Sequence, residues 1–316
     1  MIRKPNHHVS CSFLFLFSSL VLLCVCGRGT CYADRLGEFA GQGLTFSLYS
    51  HQYSDCADND EEFGYGRFSL SGSFKMHSSF TIEADGPRIS GLYLKTGGSR
   101  IKADLPWGIG DTQIDNIDLT VSYMFGKLTG KKFLIAGGAD ACDEVGEWDD
   151  PDIRYKAFFI VFDRKKGDPL SMFYGAGYVH SFGRGLPIPF FGLNWKFRED
   201  WNFNMILPYS FSWMHTVNES FKMGFSLGFD GTKLRFANDN MFPGQGDDID
   251  LFMWGLKTGY AVHYNASDKW TVSGNVNYVF YKHIELLHDN DDFIRDTIAP
   301  GFTAGVKIKY TFGGKK

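Results

Sequence analysis

Residues 303–312 read T-A-G-V-K-I-K-Y-T-F. Successive side chains of a strand point to opposite faces, so Val306, Ile308, Tyr310 and Phe312 share one side and Gly305, Lys307, Lys309 and Thr311 the other. A half-buried strand on a soluble core alternates in the same way. Lysines opposite a face that ends in aromatics suit a strand with lipid on one side and a watery lumen on the other. On this stretch alone a secreted β-sandwich or lipocalin-like barrel stays open.

Working back toward the N-terminus, the pattern recurs. Leu44, Phe46 and Leu48 alternate with Thr45, Ser47 and Tyr49, and Ile117, Leu119, Val121 and Tyr123 with Asp118, Thr120 and Ser122. Trp201 to Trp213 places apolar residues on every odd position but carries Pro208 mid-run, where a proline cannot donate to the ladder; a bulge or bend is expected there. Strands are expected at about 44–53, 67–77, 88–96, 112–125, 132–139, 154–163, 170–181, 190–198, 201–213, 220–229, 232–238, 250–264, 270–283 and 299–312. That makes an all-β, antiparallel up-and-down transmembrane barrel of about 14 strands, with 12 as the fallback, spanning residues 34–316. No segment after residue 33 has a helical period or an apolar run long enough to cross a bilayer as a helix.

The first 33 residues have basic starters, an apolar run from Phe13 to Val25 and Cys31-Tyr-Ala33 before the first acid, Asp34, which reads as a signal peptide cleaved near Ala33. The cysteines within it lack the small-residue pattern that precedes a lipidated cysteine. Without that segment the chain has 29 basic against 36 acidic residues, which argues against a nucleic-acid partner. With 31 Phe, 15 Tyr, 7 Trp and 37 Gly, it has the composition of alternating membrane strands, whose hydrophobicity window averages hide. The expected location is the outer membrane of a Gram-negative-type bacterium.

The connections sort into two sets. Short turns hold Lys127, Lys131, Arg164, Lys165 and Lys166, whereas 54–66, 97–111, 140–153, 239–249 and 284–298 read as longer external loops rich in acids. Asp55, Asp58, Asp60, Glu61 and Glu62, with Asp143, Glu144, Glu147, Asp149, Asp150 and Asp152, are hard oxygen ligands of the type that holds divalent cations, without EF-hand spacing. Two cysteines outlast the signal, Cys56 and Cys142, both on the expected external side, and in an oxidising compartment they form a candidate disulfide.

The stretch Leu186-Pro-Ile-Pro-Phe-Phe-Gly-Leu-Asn-Trp-Lys-Phe-Arg-Glu-Asp-Trp-Asn-Phe-Asn-Met-Ile-Leu-Pro208 resembles a family of uncharacterised bacterial outer-membrane β-barrel proteins. In that family a proline-led strand, a charged turn with tryptophan and a strand ending in Leu-Pro recur. The resemblance implies an architecture and a location and no established activity. The last strand is also similar to the C-terminal assembly signal of outer-membrane proteins, carried by Gly305, Ile308, Tyr310 and Phe312; barrel-assembly machinery and outer-membrane lipid are the partners this implies. The residues Gly313-Gly-Lys-Lys316 beyond the aromatic depart from that signal.

None of the seven histidines after residue 33 sits in a nucleophile motif or a metal-ligand spacing, so the chain reads as a non-enzyme with no cofactor. Lys222, Lys257, Asn275, Asn277, Lys307 and Lys309 are expected to face the lumen. The function read from them is a porin-like passive pore for small solutes. The alternative is a structural or surface-interaction barrel with a filled lumen, in which Val279, Tyr281, Ile206 and Met124 point inward and the acidic external loops do the work.

Overall fold

A computed structural model describes residues 43–312 apart from 56–61, 85, 106, 108–109, 129, 146–150, 164–167, 180–185, 238–247 and 289–290. The signal segment, Cys56 and most of the acidic stretches around it and Glu147 lie outside the described residues. Every regular element described is a strand: β1 (Gly43–Asp55), β2 (Glu62–Glu83), β3 (Gly86–Leu105), β4 (Gly110–Lys127), β5 (Lys132–Glu144), β6 (Asp152–Asp163), β7 (Leu170–Val179), β8 (Leu186–Trp195), β9 (Trp201–Leu207), β10 (Ser210–Thr216), β11 (Phe221–Ala237), β12 (Asp248–Asn265), β13 (Trp270–His288), β14 (Asp291–Ile298) and β15 (Gly301–Thr311).

Apart from β14 and β15, which do not pair with each other, each strand pairs antiparallel with its sequence neighbours, and β1 pairs with both β2 and β15, which closes the sheet. β13 carries two partners on one edge: Lys282 faces Ile298 of β14, and Val279 faces Gly301 of β15. These are two halves of one stave, broken at Ala299-Pro300 because a proline has no N–H for the ladder. The barrel therefore has 14 staves.

Two expected boundaries are corrected. Residues 201–213 are not one bent strand: a cis Leu207–Pro208 bond and Tyr209 turn the chain, and β9 and β10 form a hairpin with Ser210 opposite Ile206. Conversely Asp230-Gly231 is no turn, since β11 runs unbroken from Phe221 to Ala237 along β12. One strand gained and one lost leave the number unchanged.

The closed sheet puts its greasy side outward. Leu70, Ile117, Leu119, Val121, Phe159, Met223, Phe225, Tyr260 and Phe302 are all exposed on the outer face. At the end where β1 begins and β15 finishes, the proximal end, aromatics gather: Trp201 and Trp213 lie 5.6 Å apart, Trp270 and Tyr310 4.9 Å, Tyr310 and Phe312 5.6 Å. Higher on the outer face the surface turns charged, with Arg100 and Asp115 paired at 2.8 Å and Lys102 and Asp111 at 3.0 Å. A greasy belt between an aromatic ring and a charged rim is the profile of a barrel in a bilayer.

Wall height is uneven. A strand needs about 9–11 residues to cross the apolar layer. β2, β3, β12 and β13 have 22, 20, 18 and 19 residues, whereas β9 and β10 have 7 each. The tall staves continue well past the belt at the distal end, so much of 97–111 and 284–298 is strand rather than external loop.

Candidate functional site

The inner face follows from the register. Ser47, Lys307, Ser273, His263 and Lys222 form one cross-strand row, as do Thr45, Lys309 and Thr271. Asn275 and Gly305 share the next row with Ala261, and Asn277 lies with Thr303 and Gly259 in the row above. Asn277, Thr303 and His263 are buried, so this side faces the barrel interior. Lys257 lies on it too, opposite Gly228 and Val279.

A register shift at Leu256/Lys257 then moves β13 by one residue. Val279 points in, but Tyr281 turns outward against Trp254 at 5.1 Å, contrary to the expectation that it fills the lumen. A one-residue slip flips every later side chain. Above the slip, Lys282, Ile284 and Leu286 take the inner face.

At the distal end the tall staves close on one another. Phe63, Ile101, Ala103, Leu105, Ile114 and Cys142 from β2–β5 pack against Ile249, Leu251, Met253, Ile284, Leu286 and Ile298 from β12–β14, all at most 3% exposed. These are inward-facing positions on the two arcs that flank β1, so the staves form a two-layered apolar tier over the lumen. Lys282 lies beneath it with Nζ 4.1 Å from the Phe63 ring centre and 4.5 Å from that of Tyr65. β11 leans the same way: Arg235 Nε meets Asp250 at 3.1 Å and its Nη2 comes within 3.9 Å of Asp152 on β6.

Several acids expected in a solvated external loop belong to this tier. Asp143 is buried on β5, Glu144 accepts a hydrogen bond from Thr112 Oγ1 at 2.7 Å, and Asp152 is held by Arg235 and Arg154. Cys142 is likewise no loop residue. Among the described residues it is a free thiol at the centre of the apolar cluster, its Sγ 4.0 Å from Asp152 Oδ2, and Cys56, its expected disulfide partner, lies outside the described residues. Burial drives its thiol up to about 11, beyond what the neighbouring Arg154 charge offsets. Among the described residues no group of three or more His, Cys, Asp or Glu is placed to hold a metal.

Beneath the tier, charges pair across β4, β5 and β6. Arg154 Nη2 meets Asp140 Oδ2 at 2.7 Å, and Lys156 bridges Asp118 and Asp140. Farther round, the inner wall becomes apolar: Leu134, Ile160, Phe173 and Ile206 are buried, flanked by Met124, Phe158 and Phe190. Phe173 lies over Gly192, where a Cβ would run into its ring. The interior thus has an apolar distal seal, an ion-paired shelf, an apolar flank on β4–β9 and a basic, hydroxyl-rich flank on β11–β15 and β1. The seal was not legible from period two, which marks a residue as inward but not what covers it.

Residues 112–290 match the family described as Domain of unknown function (DUF6268). No curated protein matches the chain in sequence. Solved structures similar to it include an outer membrane channel of Pseudomonas putida F1, at 9% identity with 86% of this chain and 96% of that one covered and a TM-score of 0.43. Others are the TodX monoaromatic hydrocarbon channel in a deltaS2 mutant, at 10% identity, 92% and 96% covered and 0.35, and a mutant porin of Rh. blastica, at 9%, 85% and 99% covered and 0.28.

Proposed function

The chain belongs to the family described as Domain of unknown function (DUF6268), and from that premise we propose that it is an outer-membrane channel whose external end is held shut by its own extended staves. The distal end is external in this reading and the proximal end periplasmic, as the expected C-terminal assembly signal on β15 requires. The carrying observation is the apolar tier of inward residues from β2–β5 and β12–β14 above a polar lumen. An inner face bearing Lys222, Lys257, Lys307, Lys309, Asn275 and Asn277 favours water and solute over a dry core. The seal makes the channel gated rather than permanently open, which refines the porin-like reading.

The filled structural barrel is the second reading, favoured by the apolar flank of Leu134, Ile160, Phe173 and Ile206. Conductance separates the two. The mature chain refolded into planar bilayers is expected to show rare openings, and Leu251→Asp, which places a charge in the tier, is expected to make them frequent. A variant that retains its fold and its silence would leave the structural barrel standing.

A further inference from the structure

We propose that the periplasmic mouth of the lumen binds a small oxyanion, phosphate or carboxylate, on the row Lys222, His263, Ser273 and Lys307 with Lys309 beside it. Orientation of that face toward water rests on the channel reading. The row is read from the register: Lys222 is opposite His263, His263 opposite Ser273, and Ser273 opposite Lys307. Opposed side chains lie about 5 Å apart at Cβ, so Lys222 and Lys307 flank His263 at one and two such steps. Each lysine stem can reach the middle of the row.

His263 is the second, independent observation. It is 4% exposed, and neither Nδ1 nor Nε2 has a hydrogen-bond partner. A neutral imidazole carries one donor and one acceptor, and buried polar groups of that kind are nearly always paired. Its neighbours in the row are ammonium groups, which only donate, and Ser273, with Ser47 and Thr271 close by. Ser47 and Thr271 are already hydrogen-bonded, to Ser69 and Asn265. An oxyanion supplies the acceptor oxygens that an imidazole N–H, two or three ammonium groups and the Ser273 hydroxyl can all address.

The inner-face carboxylates Asp118, Asp140 and Asp152 pair with Lys156, Arg154 and Arg235, across the barrel or at its distal end. The chain is acidic overall, with a formal charge of −4. Its basic row inside the lumen therefore opposes the net charge, and like charges gathered at one mouth raise the local concentration of anions.

The test is calorimetric titration of the full mature chain in nanodiscs, with inorganic phosphate in one arm and benzoate in the other. Wild type is expected to bind both saturably. The double variant Lys222→Gln/Lys307→Gln is expected to weaken both at least tenfold, Lys222→Arg to stay within threefold, and Lys131→Gln at a surface turn to change nothing. Heat-modifiable gel migration confirms that each variant is folded; if the double variant is not, Lys309→Gln and His263→Leu take its place with the same expectation. No binding by wild type, binding by the folded variant within twofold of wild type, or loss of benzoate alone each overturns the proposal. Phosphate binding by a wild type that never conducts would instead sink the channel reading and leave the oxyanion row intact.

Discussion

The apolar tier makes a graded, quantitative prediction about gating. Leu286 on β13 and Leu251 on β12 face each other and are both 0% exposed. Trimming Leu286 to Ala removes three buried carbons, and the surrounding strands cannot collapse fully onto the gap, so the loss is about 3 kcal/mol. If the tier opens as a unit above a barrel that stays intact, the whole loss falls on the closed–open equilibrium, and every 1.4 kcal/mol is about tenfold. Leu286→Ala should raise open probability in planar bilayers roughly a hundredfold. Ile284→Val, costing about 1 kcal/mol, should raise it about fivefold. Unit conductance should not change, because neither residue lines the polar lumen below. Leu119→Ala, a similar truncation on the outer face of β4, should leave opening frequency alone. An open probability indifferent to Leu286→Ala in a folded barrel, or one that rises as much with Leu119→Ala, would refute the tier as the gate.

Other consequences follow from the same geometry. Arg154→Met should destabilise the barrel by about 3 kcal/mol in urea unfolding, since it takes the nearest cation from Asp140 and Asp152 in a buried shelf and leaves them only Lys156 and Arg235 at 3.9 Å, and adding Asp140→Asn should recover part of the loss. Gly192→Ala should cost about 1–3 kcal/mol by displacing the Phe173 ring, and should cost less in a Phe173→Ala background, a coupling that a double-mutant cycle reads directly. In a Cys56→Ser chain, Cys142 should resist iodoacetamide at pH 8: with its thiol raised to about 11, only roughly one in a thousand is thiolate at that pH. Labelling should rise as pH climbs toward 11 and complete only on denaturation; full labelling of the folded barrel at pH 8 would contradict its burial.

How much of this the sequence carries depends on which neighbour a residue answers to. Lipid is a uniform neighbour, so the belt positions Ile117, Leu119 and Val121 could be read from period two alone. The basic row could be read as well, since Lys307 and Lys309 need only be opposite Ile308 and Tyr310. The hairpin at Pro208 was misread for a local reason. Trp201, Phe203, Met205 and Leu207 continue in phase with Tyr209, Phe211 and Trp213, and a two-residue turn preserves parity, so the alternation runs through the reversal unbroken. Asp230-Gly231 was misread for the converse reason: turn-forming residues stand in the midst of a ladder that β12 imposes from outside.

The tier is a different matter, because its cause is not local at all. Ile101 and Leu286 are 185 positions apart and meet only after the barrel has closed. Above the lipid belt, an inward apolar residue on a tall stave would face water unless another stave covered it. β9 and β10, at 7 residues each, are too short to do so. The staves tall enough, β2–β5 and β12–β14, stand on either side of β1 and supply each other's cover. The uneven wall and the closed end are therefore one device: lowering the wall at β9–β10 is what lets the tall sheets lean together. Lengthening that hairpin by four residues, two per strand, should hold the sheets apart, and the expected readout is the same rise in open probability that Leu286→Ala gives, with no change to a single residue of the tier. If the lengthened barrel instead remains as silent as wild type, the tier closes without help from the low wall, and the two features are unconnected.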